Sequence, residues 1–306
     1  MTRREPKDLS ASIRQRLLTW SQHEQLDFQY VLTRYGIERL LYRLSCSAYR
    51  ERFILKGAML YVAWEGWSPR QTRDVDLLGR GNPNLFDWPT IITDICRLEV
   101  APDGLIFDPE TLQVADIRDD QAYGGQRLRL RAALGVARID IQMDVGFGDS
   151  VFPRPEQLVF PVLLDLPAPT LLAYPRETVV AEKLHAMVSL GLANSRMKDF
   201  YDLWLLARQF AFTGTRLAGA IRATFERRQT ELPTVAPVAL TASFYAEPNK
   251  AVQWQAFLRR NQFDRDMTLS QIAQVLETFL MPPTLAAGRA DTFTAHWLPG
   301  GPWRTG

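Results

Sequence analysis

Two alternating segments constrain this fold more than anything else in the chain: RLRLRAAL at 127–134 and ARIDIQMDV at 137–145, joined around Gly135. Apolar and polar residues change places at every step, which is the period of a half-buried strand. A glycine between two such runs marks a hairpin. An antiparallel pair over 126–134 and 137–146 is therefore expected. Further strands are expected at Thr72–Leu78, 105–107 and 111–117, while Phe53–Leu55 leads to Lys56 and Gly57 in a stretch of short elements.

The period changes after residue 175. Between lies a proline-rich stretch (Pro153, Pro155, Pro161, Pro167, Pro169, Pro175), read as an extended connector. Beyond it, apolar residues recur at helical spacing over about 176–190, 196–211, 215–228, 248–262 and 268–280. Helices are also expected within 8–50, with Ser10 as a cap, and at 58–65 and 88–100. The sequence thus predicts an α+β chain. It divides into an N-terminal helical segment (1–50), a mixed-sheet core (51–170) and a helical domain (171–306) that completes a cleft, with an irregular tail from about 282.

Lys and Arg number 36 against 34 Asp and Glu in 306 residues, so net charge neither demands nor excludes a nucleic-acid partner. Cys46 and Cys96 have no metal-ligand spacing and make no disulfide framework. His23, His185 and His296 lie too far apart to suggest a zinc site. The N-terminus has no apolar leader core, and no run reaches the length of a membrane span. The expected setting is cytoplasmic, without a membrane partner.

The chemistry centres on RDVDLLG at 73–79. Alternate side chains of a strand share a face, so Asp74 and Asp76 project together while Val75 and Leu77 go to the core. Two adjacent carboxylates repel unless a cation lies between them. Mg²⁺ suits that role, taking one or two carboxylates plus substrate phosphates. The structural alternative is a solvated D-x-D on an edge strand. Upstream, Gly57 opens a short helix whose N–H groups and dipole can meet a phosphate. Lys56 and Arg73 are secondary phosphate candidates. A later strand offers Asp140 and Asp144 on one face, about 13 Å apart, so only one can join a metal cluster, and the strand pattern does not choose between them. Asp149 reads as a turn residue.

In RETVVAEKLHAMVSLG (176–191), Val179, Val180, Leu184 and Met187 form an apolar arc with Lys183 inside it. A lysine so placed needs an anion, either a nucleoside triphosphate or a buried carboxylate. His185 falls outside the arc and reads as a surface residue. In NSRMKDFYDLWLLARQF (194–210), Ser195 is the expected cap. Asp199 lies at the edge of the apolar arc and Asp202 borders it. They are either first-turn acids on the helix dipole or carboxylates paired with Lys183. Arg127, Arg129 and Arg131 share a strand face, and Arg222, Arg227 and Arg228 cluster on a later helix. Each group is a solvated face or a surface for RNA.

Taken in order, FILKGAMLYVAWEGWSPRQTRDVDLLGRG (53–81), IQMDVGFGD (141–149), TLLAYPRETVVAEKLHAMVSLGLANSRMKDFYDLWLLA (170–207) and AIRATFERRQTELP (220–233) resemble the AbiEii/AbiGii-type nucleotidyltransferase toxins of type IV toxin–antitoxin and abortive-infection pairs. The resemblance implies a polymerase-β-type nucleotidyltransferase core. Gly57 matches the small-residue turn of the hG[GS]…Dh[DE]h pattern, and Asp74 and Asp76 match its metal pair. Ala58 departs from the pattern and removes a hydroxyl from the triphosphate contacts. The family's G-F-G-D run favours Asp144 over Asp140 as the third metal carboxylate. Lys183 matches the lysine of A-E-K-L, and Asp199 matches the first aspartate of R-x-K-D-x-x-D. The implied partners are Mg²⁺, an NTP, an RNA acceptor such as a tRNA 3′ end, and a cognate antitoxin. Two rival readings are a catalytically silent NTP-binding regulator and a nucleotidyltransferase acting on a protein or small molecule.

Overall fold

The computed structural model describes residues 8–66, 72–117 and 124–305. The chain divides into two compact units, Met1–Gly148 with Glu156–Ala173, and Asp149–Pro155 with Tyr174–Gly306. In the first unit, helices α1 (Leu9–His23) and α2 (Phe28–Cys46) are followed by β1 (Phe53–Lys56), α3 (Met59–Glu65), β2 (Asp74–Gly79) and α4 (Trp88–Arg97). Then come β3 (Leu105–Ile117), β4 (Gly125–Leu134), β5 (Ala137–Phe147), β6 (Glu156–Val159) and β7 (Thr170–Ala173). The seven strands form one mixed sheet in the order β3-β4-β5-β2-β1-β7-β6. The pairs β2–β5 and β1–β7 are parallel, and the other pairs are antiparallel.

Strand alternation sorts the sheet into two faces. Val75, Leu77, Leu128, Leu130, Ile139, Ile141, Met143 and Val145 are buried. Leu41 and Leu44 of α2, Ile92 and Ile95 of α4, and Leu128, Met143 and Val145 of the sheet line a single apolar cavity of about 20 Å³. A void this small marks a closely packed core. The other face carries Asp74, Asp76, Gln142, Asp144 and Arg129.

The helix α2 is buried nearly all round, including Arg34, Glu38, Arg39 and Arg43. These charges are tolerated because partners come with them. Asp103, 2% exposed, accepts from Arg43 through both carboxylate oxygens (2.5 and 3.1 Å) and from Arg39 Nε (3.3 Å). Tyr35 donates to the Asp103 carbonyl (2.8 Å), and Arg39 donates to the Pro167 carbonyl (2.7 Å). Glu38 accepts from the Leu163 amide (2.8 Å), and burial pushes its carboxyl up to about 7. One aspartate thus ties the central helix to the segment leading into β3.

Several local expectations change. Asp8, not Ser10, caps α1 by accepting from the Ala11 amide, while Ser10 donates to the Gly104 carbonyl. The segments 105–107 and 111–117 are one strand with a register shift between Asp108 and Gln113, where Pro109 interrupts the pairing of this edge strand. The stretch 151–175 is not a plain connector. Pro155, Pro161, Pro169 and Pro175 flank β6 and β7 rather than interrupt them.

The second unit holds α5 (Arg176–Leu190), α6 (Met197–Gln209), β8 (Phe212–Thr213), α7 (Gly214–Arg227), α8 (Ala242–Tyr245), α9 (Pro248–Asn261), α10 (Leu269–Arg289), β9 (His296–Trp297) and β10 (Trp303–Arg304). The last two strands and β8 form a three-stranded sheet in the order β10-β9-β8. The tail from 282 is therefore ordered, contrary to expectation. α10 runs through Pro282 and Pro283 because Leu280, Met281, Pro283, Ala286 and Ala287 are all buried, which outweighs the missing proline donors. Trp297 donates to the Ala207 carbonyl (2.6 Å) and packs on Phe279 and Trp303. Among the described residues, no helix is long and apolar enough to cross a membrane.

Asp103→Asn keeps the shape of the side chain but takes the countercharge from Arg43 and leaves Arg39 with Glu38 alone, 3.7 Å away. The expected loss is about 3–5 kcal/mol, read as a lowered urea midpoint, since breaking a buried pair strands its partner.

Candidate active site

Registry across the sheet collects the candidate carboxylates. Asp76 on β2 pairs with Asp144 on β5, Lys56 on β1 pairs with Asp76, and Arg127 on β4 pairs with Asp144. Paired residues of adjacent strands point to the same side. One lateral row therefore reads Lys56, Asp76, Asp144, Arg127. Asp74 begins the next row, beside Gln142 and Arg129. Neighbouring strands lie about 4.8 Å apart, so the two carboxylates of the first row stand side by side.

Arg127 forks onto Asp144. Its Nε donates to Oδ1 (2.8 Å) and its Nη2 to Oδ2 (2.7 Å). The Asp144 side chain is 17% exposed and that of Arg127 37%. This fork raises the guanidinium pKa above its ordinary range, with Asp74 and Asp76 adding to the effect. Asp140, the alternative on β5, lies two rows away from Asp76 and pairs with Arg131 at 3.3 Å on an open surface. Among the described residues, no group of three or more His, Cys, Asp or Glu side chains is arranged to hold a metal ion.

The glycine turn is shaped around this row. Gly57 has φ +74, and a Cβ there would lie 1.9 Å from Asp76 Oδ2. Both the backbone conformation and the space exclude a side chain. Ala58 caps α3 without a side-chain hydrogen bond. Gly146 on β5 leaves room for the Lys56 ammonium, which would sit 3.2 Å from a Cβ at that position. Arg73 is exposed and lies 3.7 Å from Asp27.

In the second unit, Lys183 on α5 donates to Asp199 Oδ1 (2.6 Å) and Asp202 Oδ2 (2.9 Å), both on α6. Asp199 also forms an ion pair with Arg196 at 2.7 Å. Both aspartates are fully buried. Of the two anions the apolar arc allowed for Lys183, the structure supplies the buried carboxylates. Ser195 does not cap α6. Asn194 accepts from the Arg196 amide instead (2.8 Å).

His185 is buried, not at the surface. Its Nδ1 lies 3.2 Å from Arg228 Nη1, and its Nε2 lies 2.8 Å from Thr230 Oγ1. A guanidinium can only donate, so Nδ1 accepts and the ring proton sits on Nε2. Burial, reinforced by Arg228, lowers the imidazole to about 4. Arg228 also binds Asp149 at 2.9 Å and lies 3.5 Å from Glu182. Arg228 is thus part of an internal network, and Arg222 donates to the Ala287 carbonyl, so these arginines do not form the open patch the sequence suggested. Asp149 is likewise an acceptor for Arg228 rather than a bare turn residue.

Comparison with known proteins supplies the family. The family model described as "Nucleotidyl transferase AbiEii toxin, Type IV TA system" matches residues 39–278. The chain belongs to this family. Membership makes it a nucleotidyltransferase of a type IV toxin–antitoxin system and implies a nucleotide substrate and a cognate antitoxin. Two solved structures are similar at low identity. JHP933 from Helicobacter pylori is 14% identical with a TM-score of 0.47, over 87% of this chain and 94% of that one. A second H. pylori structure, provisionally described as a nucleotidyltransferase, is 15% identical with a TM-score of 0.44, over 87% and 97%. No curated protein matches the chain.

Gly57→Ala is expected to destabilise the protein by about 1–2 kcal/mol in urea titrations, the cost of a left-handed backbone at a non-glycine residue. It also pushes the Asp76 carboxylate aside, so transferase activity should fall by more than the stability change accounts for. A second expectation concerns His185. Its folded pKa lies below the ordinary 6.5, so the unfolded state takes up a proton first as the medium is acidified. The stabilisation it gives is complete above about pH 6.5 and is lost as pH falls toward 4. In His185→Gln, the urea midpoint should decline less than in the unmodified protein between pH 7 and 4.5, by on the order of 1 kcal/mol.

Proposed function

We propose that the protein transfers a nucleotide from an NTP to an acceptor hydroxyl at an RNA 3′ end, with tRNA as the acceptor class and Mg²⁺ as the working cation. The observation that carries this reading is the lateral row itself. Asp76 and Asp144 are register partners on a polar sheet face, with Asp74 beside them and Gly57 shaped around Asp76. Such hard oxygen donors fit a divalent cation that takes one or two carboxylates and completes its shell with phosphates. Asp74 and Asp76 would hold it, and Asp144, which Arg127 holds here, would join as a third ligand on turning toward it. When bound, the cation supplies charge neutralisation and Lewis acidity at the phosphates.

The remaining roles belong to the chain. The Gly57–Ala58 turn approaches the triphosphate with backbone rather than a hydroxyl. Lys183 binds triphosphate oxygens, and Asp199 either positions Lys183 or accepts the proton of the attacking hydroxyl. Lys56 and Arg73 add positive charge near the carboxylates. The acceptor oxygen attacks the α-phosphorus and pyrophosphate leaves. Catalysis then rests on positioning and charge neutralisation rather than on a covalent intermediate. Arg129 and Arg131, on the same face as the carboxylates, suit an RNA backbone. A toxin of this kind acts where NTPs and tRNA are found, which is the cytoplasm.

Purified protein incubated with Mg²⁺, labelled NTPs and total tRNA is expected to label RNA. Asp76→Ala should reduce the label by more than about a hundredfold, the scale of losing an electrostatic stabiliser of the transition state. Label on protein or a small molecule instead would reassign the acceptor. Nucleotide binding without any transfer would favour a silent regulatory role.

A further inference from the structure

Asp144 and Arg127 present a conflict with full use of the carboxylate row. A cation ligand must offer a carboxylate oxygen. Both oxygens of Asp144 are bonded to the Arg127 fork, at 2.8 and 2.7 Å. The fork is held in place by strand pairing, because Arg127 and Asp144 are register partners on β4 and β5. A planar guanidinium on a carboxylate is among the stronger polar pairs a surface can hold, and its two parallel bonds turn both oxygens of Asp144 toward Arg127 and set a positive charge beside them.

We propose that Arg127 is a positioning residue of the carboxylate row, and that its fork and a divalent cation compete for Asp144. This rests on the reading of Asp74 and Asp76 as cation ligands. Without a cation, three carboxylates on adjacent positions of one sheet face repel, and Arg127 neutralises Asp144. A cation bound to all three brings a second positive charge onto the carboxylate that Arg127 already holds, and the fork gives way. The row therefore has two states. In one, Asp144 belongs to Arg127 and the cation has two carboxylates. In the other, Asp144 turns to the cation and the guanidinium is released. Arg127 thereby sets how tightly the row holds a cation before substrate arrives.

Mn²⁺ binding to the full-length protein without nucleotide, followed by electron paramagnetic resonance of the free ion, separates the possibilities. Arg127→Gln removes both charge and fork and should tighten Mn²⁺ binding about tenfold, the scale of one added charged ligand. Arg127→Lys keeps the charge without the fork and should fall between. The gain must run through Asp144, so in an Asp144→Asn background Arg127→Gln should give less than about threefold. Circular dichroism melts of each variant show that it is folded. Unchanged or weaker binding in Arg127→Gln overturns the proposal. So does an equal gain in both backgrounds, because Arg127 would then act only through its charge. Asp76→Ala reports separately on the functional reading. Mn²⁺ affinity that survives Asp76→Ala removes the cation site itself, whatever Arg127 does.

Discussion

Repulsion between neighbouring carboxylates governs the first unit. Asp76 and Asp144 are lateral partners on parallel strands, about 4.8 Å apart. Like charges directly opposite in a sheet are destabilising. The chain answers with cations at both ends of the row, Lys56 on one side and Arg127 on the other. It also clears space, through Gly57 against the Asp76 carboxylate and Gly146 beneath the Lys56 ammonium. Such an arrangement is hard to explain as a fold-stabilising device, because apolar residues at Asp76 and Asp144 would cost nothing in repulsion. On the proposed reading, it is where a cation is exchanged.

The buried side of the same sheet shows why that polar face can exist. Val75, Leu77, Met143 and Val145 alternate with the acids and are buried. The core against α2 and α4 therefore fixes the register, and a slip of one residue would bury every carboxylate. Asp103 anchors α2 on that core through Arg39 and Arg43. Asp103 meets the buried guanidinium groups of Arg39 and Arg43 inside the unit, whereas the row on the polar face sets two aspartates between Lys56 and Arg127.

How much of this could be read from the sequence depends on how local each feature is. The strands of the hairpin, the pairing of faces and Asp74 with Asp76 followed from alternation. The Arg127–Asp144 pair was also within reach. Equal steps back from Leu134 and forward from Ala137 arrive at these two residues, as the register confirms. The parallel register of β2 on β5, which puts Asp76 beside Asp144, joins segments far apart in sequence, and no local pattern encodes it. His185 and Arg228 were misjudged for a related reason. A helical arc counts apolar neighbours on one helix, but His185 is covered by Arg228, Thr230 and Phe225 from elsewhere in the chain. Proline misled twice, because a residue that ends elements in solution can bound a strand or sit within a helix once burial outweighs the missing donor.

The two charged clusters solve opposite problems, and burial distinguishes them. Asp74 is open to solvent and Asp144 is only partly covered, so a ligand can reach this row, meeting the Arg127 fork only at Asp144. Asp199 and Asp202 are fully buried, and their countercharges are Lys183 and, for Asp199, Arg196. Two carboxylates that deep cannot be left with half their countercharge without a penalty of several kcal/mol. Lys183 is therefore structural before it is anything else. Activity lost on replacing it carries a folding component that loss at Asp74 or Asp76 does not. A role for Lys183 in chemistry has to be read from changes in nucleotide affinity in protein that remains folded, because the geometry that places the ammonium also makes the second unit depend on it.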